Sequence, residues 1–448
     1  MTVIDLGEVT HQDAGPSIPV NYRRVLRVLL AALTVVGVLA VAGSAHGTRP
    51  GLRTLWITPY SQDTIALDAR TVYVAQAGDD GQQSLAAYDL ATGARRWSAA
   101  VQPSEFASRP AGDTVLVPTD TITVTHEEPN GDTYYYITAG TTIALDAATG
   151  AERWRVKGDA SPLPAGTALV TEHDWRNRVV GLRLLALHDG AERWKLALPP
   201  LAGFTLLPGP EHPEAVATVG EDGTAAIYGF ADGKVRATGR VPWDATAALT
   251  VSLIPAGRGF AVVRAQPDGG SLTTVYSADT LRPLWQAGSV TSCGELICST
   301  GLGGVAGHDP ATGRVVWTLP DTFDGWAISP DRMVTLANGD NTEFQLVDSR
   351  TGKRLGEPIA GMLASSSNVA GVPPTGNTDG TMLATRPSRD PAGQLVVSRI
   401  DLADGAQTPL GRFGPSGEQA LCFTSPGYLA CPRYDGLHIM AVRSRDGG

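Results

Sequence analysis

Ala144-Leu145-Asp146-Ala147-Ala148-Thr149-Gly150-Ala151-Glu152-Arg153-Trp154 decides the fold, because the same phrase has already occurred once upstream. Ala-x-Asp-x-x-Thr-Gly-x-x-x-Trp stands complete at Ala87-Tyr88-Asp89-Leu90-Ala91-Thr92-Gly93-Ala94-Arg95-Arg96-Trp97. Self-similarity at a spacing of about 40–50 residues marks a propeller or a solenoid. Degenerate copies follow. Ala186-Leu187-His188-Asp189-Gly190-Ala191-Glu192-Arg193-Trp194 reads as a shortened version. Gly307 to Trp317 keeps Asp309, Thr312, Gly313 and Trp317. Leu346 to Lys353 keeps Asp348, Thr351 and Gly352 but puts Gly356 where the tryptophan should fall. Asp401 and Gly405 mark a further copy, and the stretches around Tyr228–Arg236 and Tyr276–Trp285 are weaker ones.

Each copy reads as two strands joined by a tight turn. Asp and Thr side chains bond nearby backbone N–H groups, and Gly accepts the positive φ that such turns need. The following strand ends in Trp, large enough to bury against a neighbouring sheet and bring its N–H to a partner. Further apolar runs precede each copy, among them Thr71-Val72-Tyr73-Val74 and Gly259-Phe260-Ala261-Val262-Val263. Four short strands per unit with Gly-rich turns is the plan of a propeller blade. No long stretch beyond the N-terminus shows a 3.6-residue period, which argues against a helical solenoid.

The phrase resembles the tryptophan docking motif of the PQQ-like (quinoprotein-type) β-propeller repeat family. The resemblance extends over most of the chain after residue 52. It implies an all-β propeller in which Asp89, Thr92, Gly93, Trp97, Asp146, Thr149, Gly150, Trp154, Trp194, Asp309, Thr312, Gly313, Trp317, Asp348 and Gly352 are structural repeat positions. Similar repeats occur in quinoprotein dehydrogenases, in an outer-membrane assembly lipoprotein and in extracellular sensor domains. The resemblance therefore implies a fold and not a reaction.

The first tryptophan, in Arg53-Thr54-Leu55-Trp56-Ile57, reads as the last strand of a blade whose other strands are missing beside it. The C-terminus supplies three: Ala420–Phe423, Tyr428–Cys431 and Leu437–Val442. The chain ends are therefore expected to share one blade, which leaves no exposed sheet edge. A literal count gives nine repeat units. The expectation is about eight four-stranded blades, the commoner size.

Residues 1–24 read as a cytoplasmic tail, 25–45 as a transmembrane helix, 46–52 as a linker and 53–448 as the propeller. Val28 to Ala45 carries no charge, and from Val25 the stretch suffices to cross a hydrocarbon core of about 30 Å. Arg23, Arg24 and Arg27 precede it, which puts the N-terminus inside and the propeller outside. Secretion after signal cleavage is the alternative, since Ala40-Val41-Ala42 and Gly43-Ser44-Ala45 offer small-residue sites. Asp5, Glu8 and Asp13 and the length of the apolar run favour the uncleaved anchor. The formal net charge of −10 opposes nucleic-acid binding.

The four cysteines form two close pairs, Cys293 with Cys298 and Cys422 with Cys431. Each pair falls on the first and second strands of its unit. Antiparallel neighbours bring such Cα atoms within about 5.5–6 Å, so two disulfides are expected, as an extracytoplasmic compartment permits. A four-thiolate metal site would require the two pairs to meet, and in a ring they lie apart.

No catalytic, cofactor or metal residues are assigned. Quinoprotein alcohol dehydrogenases characteristically carry adjacent cysteines over the cofactor, and no Cys-Cys pair exists here. The repeated Asp residues suit turns better than a single catalytic base. Gly301 to Ala306 fits a dinucleotide fingerprint in letters only, because it lies between strands rather than before a helix. Asp79-Asp80-Gly81 and Asn338–Asn341 read as solvated acidic turns. His173, beside Asp174 and Trp175, is a loop histidine that could line a cavity. The insertion from Asp120 to Gly140, with Tyr134-Tyr135-Tyr136, reads either as a protein-contact loop or as an extension of one hairpin. Ala364 to Asp379 reads as a loop. The expected function is a membrane-anchored binding or scaffold module for a protein or cell-envelope ligand, without a cofactor. The alternatives are a PQQ- or metal-dependent propeller enzyme and a sensor ectodomain.

Overall fold

The computed structural model describes residues 51–443, apart from 61–64, 78–82, 105–107, 128–132, 210–211, 243–250, 267–269, 302, 337–342, 366–379, 391 and 415–420. The expected tail and transmembrane helix lie outside the described residues, as do both acidic turns and most of the 364–379 loop. Among the described residues no helix is long and apolar enough to cross a membrane. Every regular element described is a strand.

Hydrogen bonding groups the strands into eight sheets, seven of four strands and one of seven. The larger sheet arises because one strand, Glu192–Leu207, serves twice. Its first part pairs with Val179–Ala186, and its second part pairs with Ala215–Gly220. Pro199 and Pro200 sit at the changeover, where the strand leaves one partner for the other and no amide hydrogen is needed. The number of sheets is the eight expected, while the shared strand accommodates nine four-stranded units, the literal repeat count. We number these units in chain order: 65–99, 109–157, 159–197, 201–240, 251–287, 290–319, 324–360 and 362–413, then the ninth, 423–442 with Leu52–Thr58.

The ninth unit is the closure. Leu52–Thr58 pairs antiparallel with Gly436–Val442, so the N-terminal strand completes a sheet begun by the C-terminal three. Buried side chains join each unit to the next around the ring. Val72 and Val74 of the first unit share a cluster with Phe423 and Ile439 of the ninth. Leu383 and Val397 of the eighth share another with Leu429 and Met440 of the ninth. Within a unit, the second strand is covered on both faces by neighbours, as in Ala215–Gly220, which is buried throughout. This explains continuous apolar runs where a half-buried sheet would alternate. The fourth strand is mostly exposed, and in Arg95–Ala99 only Trp97 is buried.

The repeated turn joins the third strand to the fourth. In the second unit the Asp146 Oδ1 accepts hydrogen bonds from the Ala148 and Thr149 amides at 3.1 and 2.8 Å and from the Thr149 hydroxyl at 2.8 Å. Asp89, Asp309 and Asp348 accept the same trio in their own units. The third-unit copy is not shortened. Ala186 takes the Asp position, because the Gly190 amide bonds its carbonyl just as the Gly150 amide bonds that of Asp146. Asp189 therefore stands in the threonine position.

Each repeat-position tryptophan crosses to the next unit. Trp97 Nε1 donates to the Ala147 carbonyl at 2.9 Å, Trp154 to Leu187 at 2.9 Å, Trp194 to Phe230 at 2.7 Å and Trp317 to Ser349 at 3.0 Å. Trp56 does the same to Leu90 and Trp285 to Pro310, each at 2.9 Å. The indole lies flat on the turn glycine. A Cβ at Gly150 would come within 2.6 Å of the Trp97 ring, and its φ is 73°. Glycine is thus fixed there both by the backbone and by the indole above it.

Both cysteine pairs are disulfides, with Cα–Cα separations of 5.7 Å for Cys293–Cys298 and 4.4 Å for Cys422–Cys431. They are buried on different seams, the sixth–seventh and the eighth–ninth.

The repeat turn also carries a pH-dependent contribution. The Thr149 hydroxyl and the Arg153 guanidinium, 2.6 Å from Oδ2, hold the Asp146 carboxyl at about 2. A depressed carboxylate stabilises the fold above its unfolded pKa of about 4, and the contribution is lost as pH falls toward the folded value. Asp146→Asn is expected to cost about 1 kcal/mol at neutral pH, after discounting for solvent screening. Urea unfolding should show the gap from the parent protein closing between about pH 5 and pH 2.5. A gap that persists at the acid end would remove ionisation as its source.

Candidate functional site

The antiparallel order gives the ring two faces. One carries the repeat turns. The other carries the turns between second and third strands and the links between units.

In the second unit Thr114–Glu127 and Thr133–Asp146 pair along their full length, so the 120–140 insertion is a hairpin extension. Pairing skips Asp120, at φ 54°, and Gly140, and resumes at Thr121 with Ala139. The register is unchanged across the gap, and Gly140 is needed because a Cβ would sit 2.7 Å from the Asp120 carbonyl oxygen. Tyr135, at the far end, is 66% exposed.

Beside it, the third unit presents 173–178 between Thr167–His173 and Val179–Ala186. Asp174 organises this turn. Its Oδ1 accepts from the Arg176 and Arg178 amides at 2.9 and 3.0 Å, and its Oδ2 accepts from Arg178 Nη2 at 2.6 Å. Burial pulls the Asp174 carboxyl upward, but the Arg178 hydrogen bond and the two amides outweigh it and hold the group below the usual range. Arg178 reaches on to Glu221 of the fourth unit at 3.0 Å. Held this way, Trp175 projects 76% exposed, with the Arg176 guanidinium 4.4 Å from its ring centroid. An indole so displayed, stacked by arginine, is costly to hydration and suited to contact.

Underneath lies a polar brace between the second and third units. The buried Arg109 donates to Asp159 Oδ1 at 2.5 Å and to the Ala160 carbonyl at 2.7 Å. His173 Nδ1 lies 3.5 Å from the Thr138 hydroxyl of the hairpin. Burial lowers the His173 pKa against the pull of Asp159 and Asp174, so the imidazole is neutral at physiological pH. The Arg109–Asp159 pair ties the first strands of the two units, and the Thr138–His173 contact joins the hairpin to the strand that leads into the Trp175 turn.

The residues singled out from sequence fall elsewhere. Asp89, Asp146, Asp309 and Asp348 lie in turns on the opposite face, each engaged with its own threonine. The tryptophans lie in the seams, and all four cysteines are in disulfides. Gly301 to Ala306 joins paired strands in the sixth unit. Among the described residues no cluster of three or more His, Cys, Asp or Glu is placed to hold a metal ion. Arg109 and Asp159 escaped the sequence reading because neither belongs to a local motif. They are one repeat apart, each at the start of a first strand, and superposing the units would have paired them.

The family profile described as outer membrane protein assembly factor BamB matches residues 48–200 and again 81–251. Over residues 48–251 the chain is therefore similar to that propeller-repeat profile. Similar solved structures include BamB from Moraxella catarrhalis, 14% identical with a TM-score of 0.39, covering 89% of this chain and 99% of that one. The computationally designed Ika8 protein is 13% identical with a TM-score of 0.43, covering 87% and 100%. A europium-containing methanol dehydrogenase is 14% identical with a TM-score of 0.42, covering 88% and 94%. No curated protein matches the chain.

Proposed function

We propose that the chain is an extracytoplasmic binding module, held to the membrane by residues 25–45, that docks a protein partner on the face carrying Tyr135 and Trp175. The observation that supports this reading most is Trp175, exposed and arginine-stacked on a turn that Asp174 and Arg178 hold in place. Rigid presentation of an aromatic anchor lowers the ordering cost of binding. The disulfides suit an oxidising compartment. The matched profile describes assembly factors of an outer membrane, which favours an envelope scaffold over a solitary enzyme.

Crosslinking of the full-length protein in its own membranes, followed by mass spectrometry, tests the reading. One reproducible partner is expected, and Trp175→Ala with Tyr135→Ala should reduce its recovery at least about tenfold, the effect of removing hot-spot aromatics. Equal recovery from the double variant would defeat the proposal. The intact mass of the same preparation reports whether the N-terminal segment is retained.

A further inference from the structure

The fourth strand of the sixth unit, Val315-Val316-Trp317-Thr318-Leu319, departs from those of the other eight. It ends its sheet, paired only with Val305–His308, so one side of its backbone faces no other described strand. The other fourth strands each contain a charged residue or a proline, such as Arg95 and Arg96 in the first unit, Glu152 and Arg153 in the second and Pro283 in the fifth. Such residues keep an open edge from pairing with another chain. Val315–Leu319 contains neither. Trp317 and Leu319 pack into the seam with the seventh unit. Val315 and Val316 remain 49% and 44% exposed, and Phe323, just past the strand, is exposed as well.

The strand and its flanks are complementary to themselves. In an antiparallel pair centred on Trp317, Val316 of each copy falls opposite Thr318 of the other, and both side chains are exposed. Facing β-branched residues stabilise such a pair. Arg314 falls opposite Pro320 and beside Asp321, so a cation meets an anion at each end and no like charges oppose. Pairing within the sheet skips Val316, an irregularity that recurs at the same place in the first and second units, and Trp317 to Leu319 is regular. A foreign strand could also reach the open backbone, but a second copy brings Arg314 and Asp321 together at both ends.

We propose that two copies of the chain associate edge to edge through Val315–Leu319, in a two-fold antiparallel strand pair centred on Trp317. The contact uses the same patch on both copies, as a closed dimer requires. A five-residue strand pair buries less than a standard interface of about 1,600 Å², so the expected dissociation constant is on the order of micromolar. The edge stands independently of the docking face that carries Trp175.

Cross-linking and sedimentation velocity on the full-length protein in detergent provide the test. The four native cysteines are all in disulfides, so Val316→Cys and Thr318→Cys each add a single thiol. An equimolar mixture of these two variants should form a disulfide-linked dimer in at least about threefold higher yield than either alone, because only the mixture sets the thiols opposite each other. In sedimentation, Val316→Lys with Thr318→Lys sets two like-charge pairs across the contact and should weaken the dimer at least about tenfold. Mixing that protein with the Val316→Glu, Thr318→Glu variant should restore it. Both positions are exposed, so the fold tolerates the changes. A parent protein that stays monomeric, equal cross-linking in all three samples, or a lysine variant that associates like the parent would overturn the proposal. Trp175→Ala should leave the association unchanged, which separates the two surfaces.

Discussion

Gly405→Ala is expected to detach the seventh unit from the eighth, at a cost above about 4 kcal/mol. The seventh unit has no tryptophan at the repeat position, where Gly356 stands instead. At that point the two units touch backbone to backbone, beside a seam that Ile359 and Leu402 help to fill. A Cβ on Gly405 would lie 2.3 Å from the Leu355 carbonyl oxygen and 2.8 Å from the Gly356 nitrogen, and one on Gly356 would lie 2.3 Å from the Gly405 carbonyl oxygen. No rotamer relieves a clash with main chain. Both residues also have positive φ, 76° and 65°, which adds about 1–2 kcal/mol for any L side chain. Gly393→Ala isolates that smaller term, since Gly393 has φ 79° but nothing within 4 Å. Urea unfolding of the full-length protein should separate the two variants widely. Equal losses would show that backbone strain, and not the close approach, governs the seam.

Trp97→Ala is expected to cost about 3–5 kcal/mol, the range for emptying a buried aromatic site. Trp97 is 8% exposed, 5.9 Å from the Tyr73 ring between centroids, and bonded to the Ala147 carbonyl. Trp97→Phe keeps a ring but drops the donor and should recover roughly half of the loss. The decisive measurement is the cycle with Gly150→Ala. In the parent protein that methyl meets the indole at 2.6 Å. In the Trp97→Ala background it meets a cavity, and only the left-handed backbone penalty remains. The two losses should therefore fall short of additivity by more than about 1 kcal/mol. Additive losses would mean that indole and glycine do not act as one joint.

The joint explains what was legible in the sequence. Asp, Thr, Gly and Trp recur at fixed spacing because one turn must bond itself, bend left-handed and receive an indole, and each task admits few residue types. Trp56 without neighbours gave away the closure for the same reason. The cysteine pairs were legible because the strands they occupy are adjacent in chain and in sheet. The fourth–fifth seam was not, since Ala237 and Leu281 solve the packing with residues that carry no signature. Glu192–Leu207 hid the boundary between two units, because its prolines let an extended chain pass from one sheet to the next without a turn. The Arg109–Asp159 brace was invisible for a different reason. Ion pairs between units depend on superposition of repeats, and one pair among many arginines and aspartates has no local context to mark it.

The latch of the ring has a consequence for synthesis. Residues Leu52–Thr58 emerge from the ribosome long before their partner strand, Gly436–Val442. Throughout elongation the growing arc keeps an open strand edge and a half-built seam, the condition under which nascent chains pair wrongly or enlist chaperones. Truncation ahead of Gly436 would therefore do more than shorten the protein: it would leave the circle unlocked.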